Sequence, residues 1–241
     1  MKNCLLCNQR LNWQPSFKAL FLPGDIQVPL LCQTCRESFQ TWQGPHCAGC
    51  GRTSPNGQLC LDCQGWQKQG TSMIEVTTCY QYNSAMHDFM QRYKFHGDYR
   101  LRQVFRAEFT QRAKRLGDYF VPVPVSQTTM FTRGFNQVAG MLDLKLTTLL
   151  TVKAKTKRAQ STKTRAERLA TKQPFELAKG IEIPQGRFVL IDDIYTTGRT
   201  FHHAVEILKA AGCQDIKGLV LAAAGSNNQN EPKTNETRKI C

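Results

Sequence analysis

Phe188-Val-Leu-Ile-Asp-Asp-Ile-Tyr-Thr-Thr-Gly-Arg-Thr200 is the stretch from which the fold can be read. It opens on four apolar residues, Phe188 to Ile191, short and without alternation, as in a parallel strand buried on both faces. Two adjacent carboxylates, Asp192 and Asp193, follow where that strand is expected to emerge. Thr196, Thr197, Gly198, Arg199 and Thr200 then lead into a helix. A hydroxyl-rich turn with glycine at a helix N-terminus offers an anion backbone N–H groups, threonine hydroxyls and the helix dipole. Carboxylates at a strand end suit a ribose diol, and open α/β sheets place their ligands at the C-terminal ends of strands. The plainer reading, a helix cap and a solvated turn, gives no reason for two acids directly after Phe-Val-Leu-Ile.

On either side the chain alternates strands with helices. Ile74 to Tyr82 is β-branched and aromatic and reads as a strand. Asn83 or Ser84 caps a helix running to about Tyr93, and Leu101 to Leu116 is a second helix with a basic outer face. Tyr119 to Val123 is a short strand entering the turn Pro122-Val123-Pro124. Asn136 to Leu150 reads as helical, Thr200 to Ala211 as a helix stopped by Gly212, and Ile216 to Ala224 as a last strand. This order implies an α/β domain with a parallel sheet flanked by helices. After Gly225 the composition turns to Ser, Asn, Gln, Glu, Thr and Lys, so residues 226–241 are expected to be a disordered tail.

The N-terminal third is different. Eight of the 11 cysteines fall in four identical C-x-x-C pairs, Cys4/Cys7, Cys32/Cys35, Cys47/Cys50 and Cys60/Cys63. Each pair sets two thiolates on a tight turn, and eight thiolates suffice for two closed, tetrahedral Zn²⁺ sites that hold structure rather than do chemistry. Sequential pairing is preferred, with Cys4, Cys7, Cys32 and Cys35 on one zinc and Cys47, Cys50, Cys60 and Cys63 on the other; a cross-braced arrangement is the alternative. The segment 1–70, ribbon-like, has little core of its own, so metal is expected to supply folding energy. The α/β domain then covers 71–225.

The whole chain has 241 residues, 41% of them hydrophobic, which excludes a wholly disordered or collagen-like protein. Its longest apolar runs are far too short to span a bilayer. The start of the chain shows no apolar signal segment, so a cytoplasmic location without a membrane span is expected. Thirty-two Lys and Arg against 18 Asp and Glu give a net charge of +14, which favours an anionic partner.

The Phe188–Thr200 stretch resembles the phosphoribosyl pyrophosphate signature of type I phosphoribosyltransferases. The chain as far as about Ala224 resembles one branch of these, the ComF family, with its ComFC and GntX-like members. Besides the signature, the cysteine pairs, Tyr93-Lys-Phe-His-Gly-Asp98, Val121-Pro-Val-Pro124 and Arg133-Gly-Phe-Asn-Gln137 carry that resemblance. It implies a domain that binds phosphoribosyl pyrophosphate with Mg²⁺ and acts in DNA uptake during natural transformation, on incoming single-stranded DNA and beside other competence proteins such as a DNA-uptake helicase. By this resemblance Asp192 and Asp193 hold the ribose hydroxyls and Thr196 to Thr200 bind the 5-phosphate. Val123, Pro124, Val125 and Ser126 form the pyrophosphate loop. The chain departs from the family at Arg168-Leu-Ala-Thr171, where the family has Arg-x-x-Asn. No general base stands out, as expected where positioning, charge neutralisation and a stabilised ribosyl cation do the work.

Two basic clusters bear on nucleic acid. Thr151 to Lys172 carries eight cations, among them Lys153, Lys155, Lys157 and Arg158, against Glu167 alone. It corresponds in the family to the hood over the active site, and its cations suit pyrophosphate or DNA phosphates. Arg92, Lys94, Arg100, Arg102 and Arg106 interleave with Tyr93, Phe95, Tyr99 and Phe105, a pattern suited to single strands whose bases stack on rings. Two functional readings follow. One is an Mg²⁺-dependent phosphoribosyltransferase. The other is a non-catalytic single-stranded DNA-binding or scaffolding module that keeps the fold.

Overall fold

A computed structural model describes residues 2–14, 28–71, 73–153 and 173–225. Four strands, β1 (Val76–Gln81), β2 (Tyr119–Pro122), β5 (Phe188–Tyr195) and β6 (Ile216–Ala223), form a wholly parallel sheet in the order β1-β6-β5-β2. Two shorter strands, β3 (Leu150–Val152) and β4 (Phe175–Leu177), pair antiparallel beside it.

The parallel sheet is buried on both faces, so Phe188–Ile191 of β5 and Leu219–Ala223 of β6 are continuous apolar runs. On one face Leu190 and Val220 meet Phe201, Ala204, Val205 and Leu208 of α7 (Arg199–Ala210). On the other, Val189, Ile191, Leu219 and Leu221 meet α3 (Ser84–Lys94) and α4 (Arg102–Leu116) through Met86, Phe89, Met90, Tyr93, Phe105 and Phe109. Asn83 caps α3, its side-chain oxygen accepting from Met86 N at 3.0 Å. Gly218 of β6 lies where a Cβ would come within 2.7 Å of Phe201, so α7 packs against bare backbone there.

The cysteine-rich segment belongs to these layers. Cys47, Cys50, Cys60 and Cys63 share the core of the α7 face, while Cys4, Leu31 and Phe39 share that of the α3/α4 face. Two helices lie in it, α1 (Gln33–Glu37) and α2 (Leu61–Lys68). The Cys47–Cys50 knuckle covers the outer edge of β1: Val76 N donates to Gly49 O and Thr78 Oγ1 to Cys50 O, both at 2.8 Å. Leu146 and Thr147 cover the edge of β2 at Phe120.

Two expectations are corrected. The helix over Asn136 to Leu150 is reduced to α6 (Gln137–Gly140), with a separate α5 (Gln127–Arg133) before it. Asn136 caps α6, but Met141, Leu142 and Leu149 are buried at positions set by tertiary contacts, and Asp143 N bonds to Thr110 Oγ1 at 2.9 Å. The second correction concerns β5, which continues through the acids to Tyr195, so Asp192 and Asp193 are strand residues. The expected tail, 226–241, lies outside the described residues, as do Lys155, Lys157, Arg158 and Arg168 to Thr171.

Candidate functional site

The C-terminal ends of β5 and β2 open into a cavity of about 350 Å³. Its walls bring together Asp192, Asp193, Thr196 and Thr200 from the β5–α7 stretch with Val123, Pro124, Val125 and Ser126 from the loop after β2. Lys94 and Phe95 at the end of α3, Arg133 and Gln137, and Val152 and Phe175 of the β3–β4 pair complete it. Side chains from distant parts of the sequence thus meet where a parallel sheet presents its ligands.

At its floor lie two buried carboxylates. Asp192 accepts from Asp193 N at 2.9 Å, and burial pushes its carboxyl up to about 7, with the Lys94 ammonium pulling the other way. Asp193 pairs with Lys94 through Oδ2 and accepts from Gln137 Nε2 at 3.2 Å through Oδ1. Gln137 in turn accepts from Arg133 Nη1, whose Nε donates to Lys94 O at 3.1 Å. Burial lowers the Arg133 guanidinium's affinity for its proton.

The turn after β5 is built for close approach. Gly198 stands at φ +78°, in the left-handed region, and a Cβ there would lie 2.2 Å from the Tyr195 hydroxyl. Thr196 and Thr200 face the cavity. Thr197 is buried behind it, with its hydroxyl accepting from Arg199 N at 3.3 Å and its carbonyl from Trp66 Nε1 at 2.8 Å. Arg199, expected at the phosphate, donates from Nε to His203 Nε2 at 3.0 Å and lies over the Trp66 ring.

The candidate nucleic-acid residues separate. Arg92 holds Leu5 O and Leu6 O of the first cysteine knuckle at 2.8 and 2.7 Å and pairs with Asp98. Lys94 is inside the cavity. Arg100 pairs with Asp98, Arg102 stacks on Tyr99 at 4.2 Å, and Arg106 pairs with Asp143 at 2.8 Å. Tyr93 and Phe105 are core residues, while Phe95 and Tyr99 are exposed. Lys153 is exposed at the end of β3, next to the basic stretch that lies outside the described residues.

The eight cysteines form two groups, Cys4, Cys7, Cys32 and Cys35, and Cys47, Cys50, Cys60 and Cys63. Within each, all four Sγ atoms lie within 4.8 Å of one another, in the sequential pairing. Four ligands at a Zn–S distance of about 2.3 Å span edges of about 3.8 Å. Cys7–Cys32 at 3.7 Å and Cys50–Cys60 at 3.6 Å match that, so both groups fit zinc. The second group is wholly buried, and the fully buried Arg52 donates to Cys50 Sγ at 3.1 Å and Cys60 Sγ at 3.5 Å.

Sequence reasoning missed Trp66, Arg52 and the roles of Lys94, Arg133 and Gln137. The last three lie in stretches that carried the family resemblance. For Trp66 the only signal is its place three residues after Cys63.

A strand–turn–helix of this kind at the C-terminal edge of a parallel sheet is the build of a phosphoribosyltransferase-type domain, here joined to two Cys4 clusters. The phosphoribosyl transferase domain family matches residues 133–239. Competence protein ComFC of Streptococcus pneumoniae is 38% identical over 220 residues, covering 90% of this chain and 98% of its own length. Competence protein ComFC of Bacillus subtilis is 31% identical, covering 87% of this chain and 89% of its own. Competence protein F of Haemophilus influenzae is 26% identical over 87% of this chain and 98% of its own length. The chain belongs to the ComFC family of competence proteins. Among the described residues no helix is long and apolar enough to cross a membrane.

Proposed function

We propose that the cavity binds phosphoribosyl pyrophosphate with Mg²⁺, and that the protein acts in this form, in the cytoplasm, in DNA uptake during competence. The observation that carries this reading is the meeting in one cavity of Asp192 and Asp193, Thr196 and Thr200, and the Val123–Ser126 loop. Asp192 and Asp193 would orient the ribose hydroxyls. The Thr196–Thr200 turn would hold the 5-phosphate through backbone N–H groups and hydroxyls, and the Val123–Ser126 loop the pyrophosphate. Two buried carboxylates already facing the Lys94 ammonium suit a site for positive charge, so the donor set fits a cation. Bound Mg²⁺ would neutralise the pyrophosphate as it leaves the sugar. Phe175, Val152 and Val123 would keep water from the sugar.

Single-stranded DNA is proposed as the second anionic partner, held outside the cavity. The net charge of +14 and the exposed Lys153 beside the basic stretch support this placement. The test is calorimetric titration of phosphoribosyl pyrophosphate with Mg²⁺ into wild type and the double variant Asp192→Asn, Asp193→Asn. Loss of binding in a folded double variant is expected; equal affinity would refute the assignment of the carboxylates.

A further inference from the structure

The wall of the cavity that would hold the 5-phosphate is fastened from behind by the second cysteine cluster. Helix α2 starts directly after Cys60 and contains Cys63, so two of the four sulfurs fix its position. One turn beyond Cys63, Trp66 reaches the turn after β5. Its indole N–H donates to Thr197 O at 2.8 Å, its ring lies 4.7 Å from that of His202, and the Arg199 guanidinium sits over it at 5.7 Å. His202 is buried with neither ring nitrogen hydrogen-bonded, so packing against Trp66 holds this first turn of α7.

A second brace leaves the same cluster. Arg52 binds Cys50 Sγ, Cys60 Sγ and Asp62, and its other Nη donates to Ala224 O at 3.0 Å. Its guanidinium lies over the Tyr195 ring at 5.7 Å, and Tyr195 is the residue against which Gly198 is closed. Thr197 and Tyr195, on the two arms of the turn, are therefore gripped by side chains anchored on one set of four sulfurs. The first cluster reaches a different wall, through Arg92 to Leu5 and Leu6 and so to α3.

We infer that Trp66 is a positioning residue for the phosphate turn, and that metal at Cys47, Cys50, Cys60 and Cys63 is what keeps that turn in its anion-binding shape. The anion-binding half of this statement rests on the phosphoribosyl pyrophosphate reading; the bracing half does not. The cysteine-rich segment then acts on the sugar phosphate site from a distance, without touching the ligand.

The experiment is amide hydrogen exchange of the peptide spanning 196–202 in the full chain, with zinc content measured on the same samples. Trp66→Phe keeps an aromatic ring and removes the N–H. Exchange at 196–202 should rise roughly two- to tenfold, the range of one net hydrogen bond, with zinc retained. Trp42→Phe, which removes a similar indole bond to Tyr80 O, is the control and should leave that peptide unchanged. Stepwise chelation of wild type adds a test that needs no variant. The first cluster has an exposed cysteine and the second is wholly buried, so the first zinc should leave without change at 196–202 and the second should open it. Affinity for phosphoribosyl pyrophosphate with Mg²⁺ should fall with the second zinc alone. Unchanged exchange in Trp66→Phe, equal loosening in Trp42→Phe, or opening with the first zinc would overturn the inference. Should Trp66→Phe not fold, the chelation series decides. A wild type that fails to bind the sugar phosphate, yet whose turn opens with the second zinc, would refute the cavity reading and leave the brace standing.

Discussion

Replacing Lys94 by methionine keeps the length of the side chain and removes its charge. In the folded protein this leaves Asp193, 6% exposed, facing no ammonium at the bottom of the cavity. Lys94 itself is only 12% exposed, so solvent screening discounts the pair little. Breaking a buried pair by removing one partner costs about 3–5 kcal/mol, a large share of the 5–15 kcal/mol typical of a folded domain. Gln137 still donates to Asp193, which favours the lower end, about 3 kcal/mol. Asp193→Asn alone takes away the carboxylate paired with the ammonium and leaves Asp192 as the remaining acid near it, so it should cost less than Lys94→Met. The double variant Lys94→Met, Asp193→Asn has neither charge and should recover at least ~2 kcal/mol relative to the sum of the two. The loss in Lys94→Met should shrink as pH falls, because protonation relieves a carboxylate buried without a cation. The assay is urea denaturation of zinc-loaded protein at pH 7 and near pH 5.5. A cost below ~0.5 kcal/mol for Lys94→Met at pH 7, or simple additivity in the double variant, would refute the pairing as the cavity's internal counter-charge.

Three further outcomes are expected. Metal analysis of protein purified under reducing conditions should find two zinc ions per chain, matching the two cysteine groups, and a folded protein without zinc would contradict this. Burial raises the Asp192 carboxyl to about 7, above its unfolded value of 3.8, so its contribution to stability is present at low pH and lost as pH rises through 7. Binding of phosphoribosyl pyrophosphate with Mg²⁺, which needs that carboxylate charged, should run the other way. Its affinity should strengthen up to about tenfold per unit between pH 6 and 7 and level above; a flat profile by calorimetry would exclude Asp192 from the site. For single-stranded DNA, neutralising Lys153, Lys155, Lys157 and Arg158 together should flatten the slope of log K against log salt by about two to three, at roughly 0.7 per phosphate contact. Neutralising Arg100, Arg102 and Arg106 should leave it nearly unchanged, since Asp98, Tyr99 and Asp143 engage them. The reverse result would place DNA on Arg100 and the first turns of α4.

The central strands and both cysteine groups were legible because local signals and tertiary demands agree there. Phe188 to Ile191 and Leu219 to Ala223 read as buried strands and are buried strands, and C-x-x-C spacing survives any packing around it. The helix expected over Asn136 to Leu150 failed because burial of Met141, Leu142 and Leu149 is set by α4 and β2 rather than by a periodic face. Asp192 and Asp193 were found as a pair, but the strand's continuation past them was not, since two acids in a buried strand are stable only with partners supplied from elsewhere. Lys94 and Gln137 are those partners, and 99 residues separate Lys94 from Asp193. The basic–aromatic alternation of Arg92 to Arg106 resolves into contacts that local sequence does not show: Arg92 and Arg100 share Asp98, Arg102 lies over Tyr99, Arg106 pairs with Asp143, and Tyr93 and Phe105 face the core. Trp66 has no sequence signal beyond its place three residues after Cys63, because its contact with Thr197 spans 131 residues.

The most direct test of the central reading is isothermal titration of phosphoribosyl pyrophosphate, with and without Mg²⁺, into folded wild-type protein carrying both zinc ions. Saturable binding at one site per chain, strengthened by Mg²⁺ and competed by ribose 5-phosphate, is the expected result. No heat of binding at millimolar phosphoribosyl pyrophosphate with Mg²⁺ would contradict it.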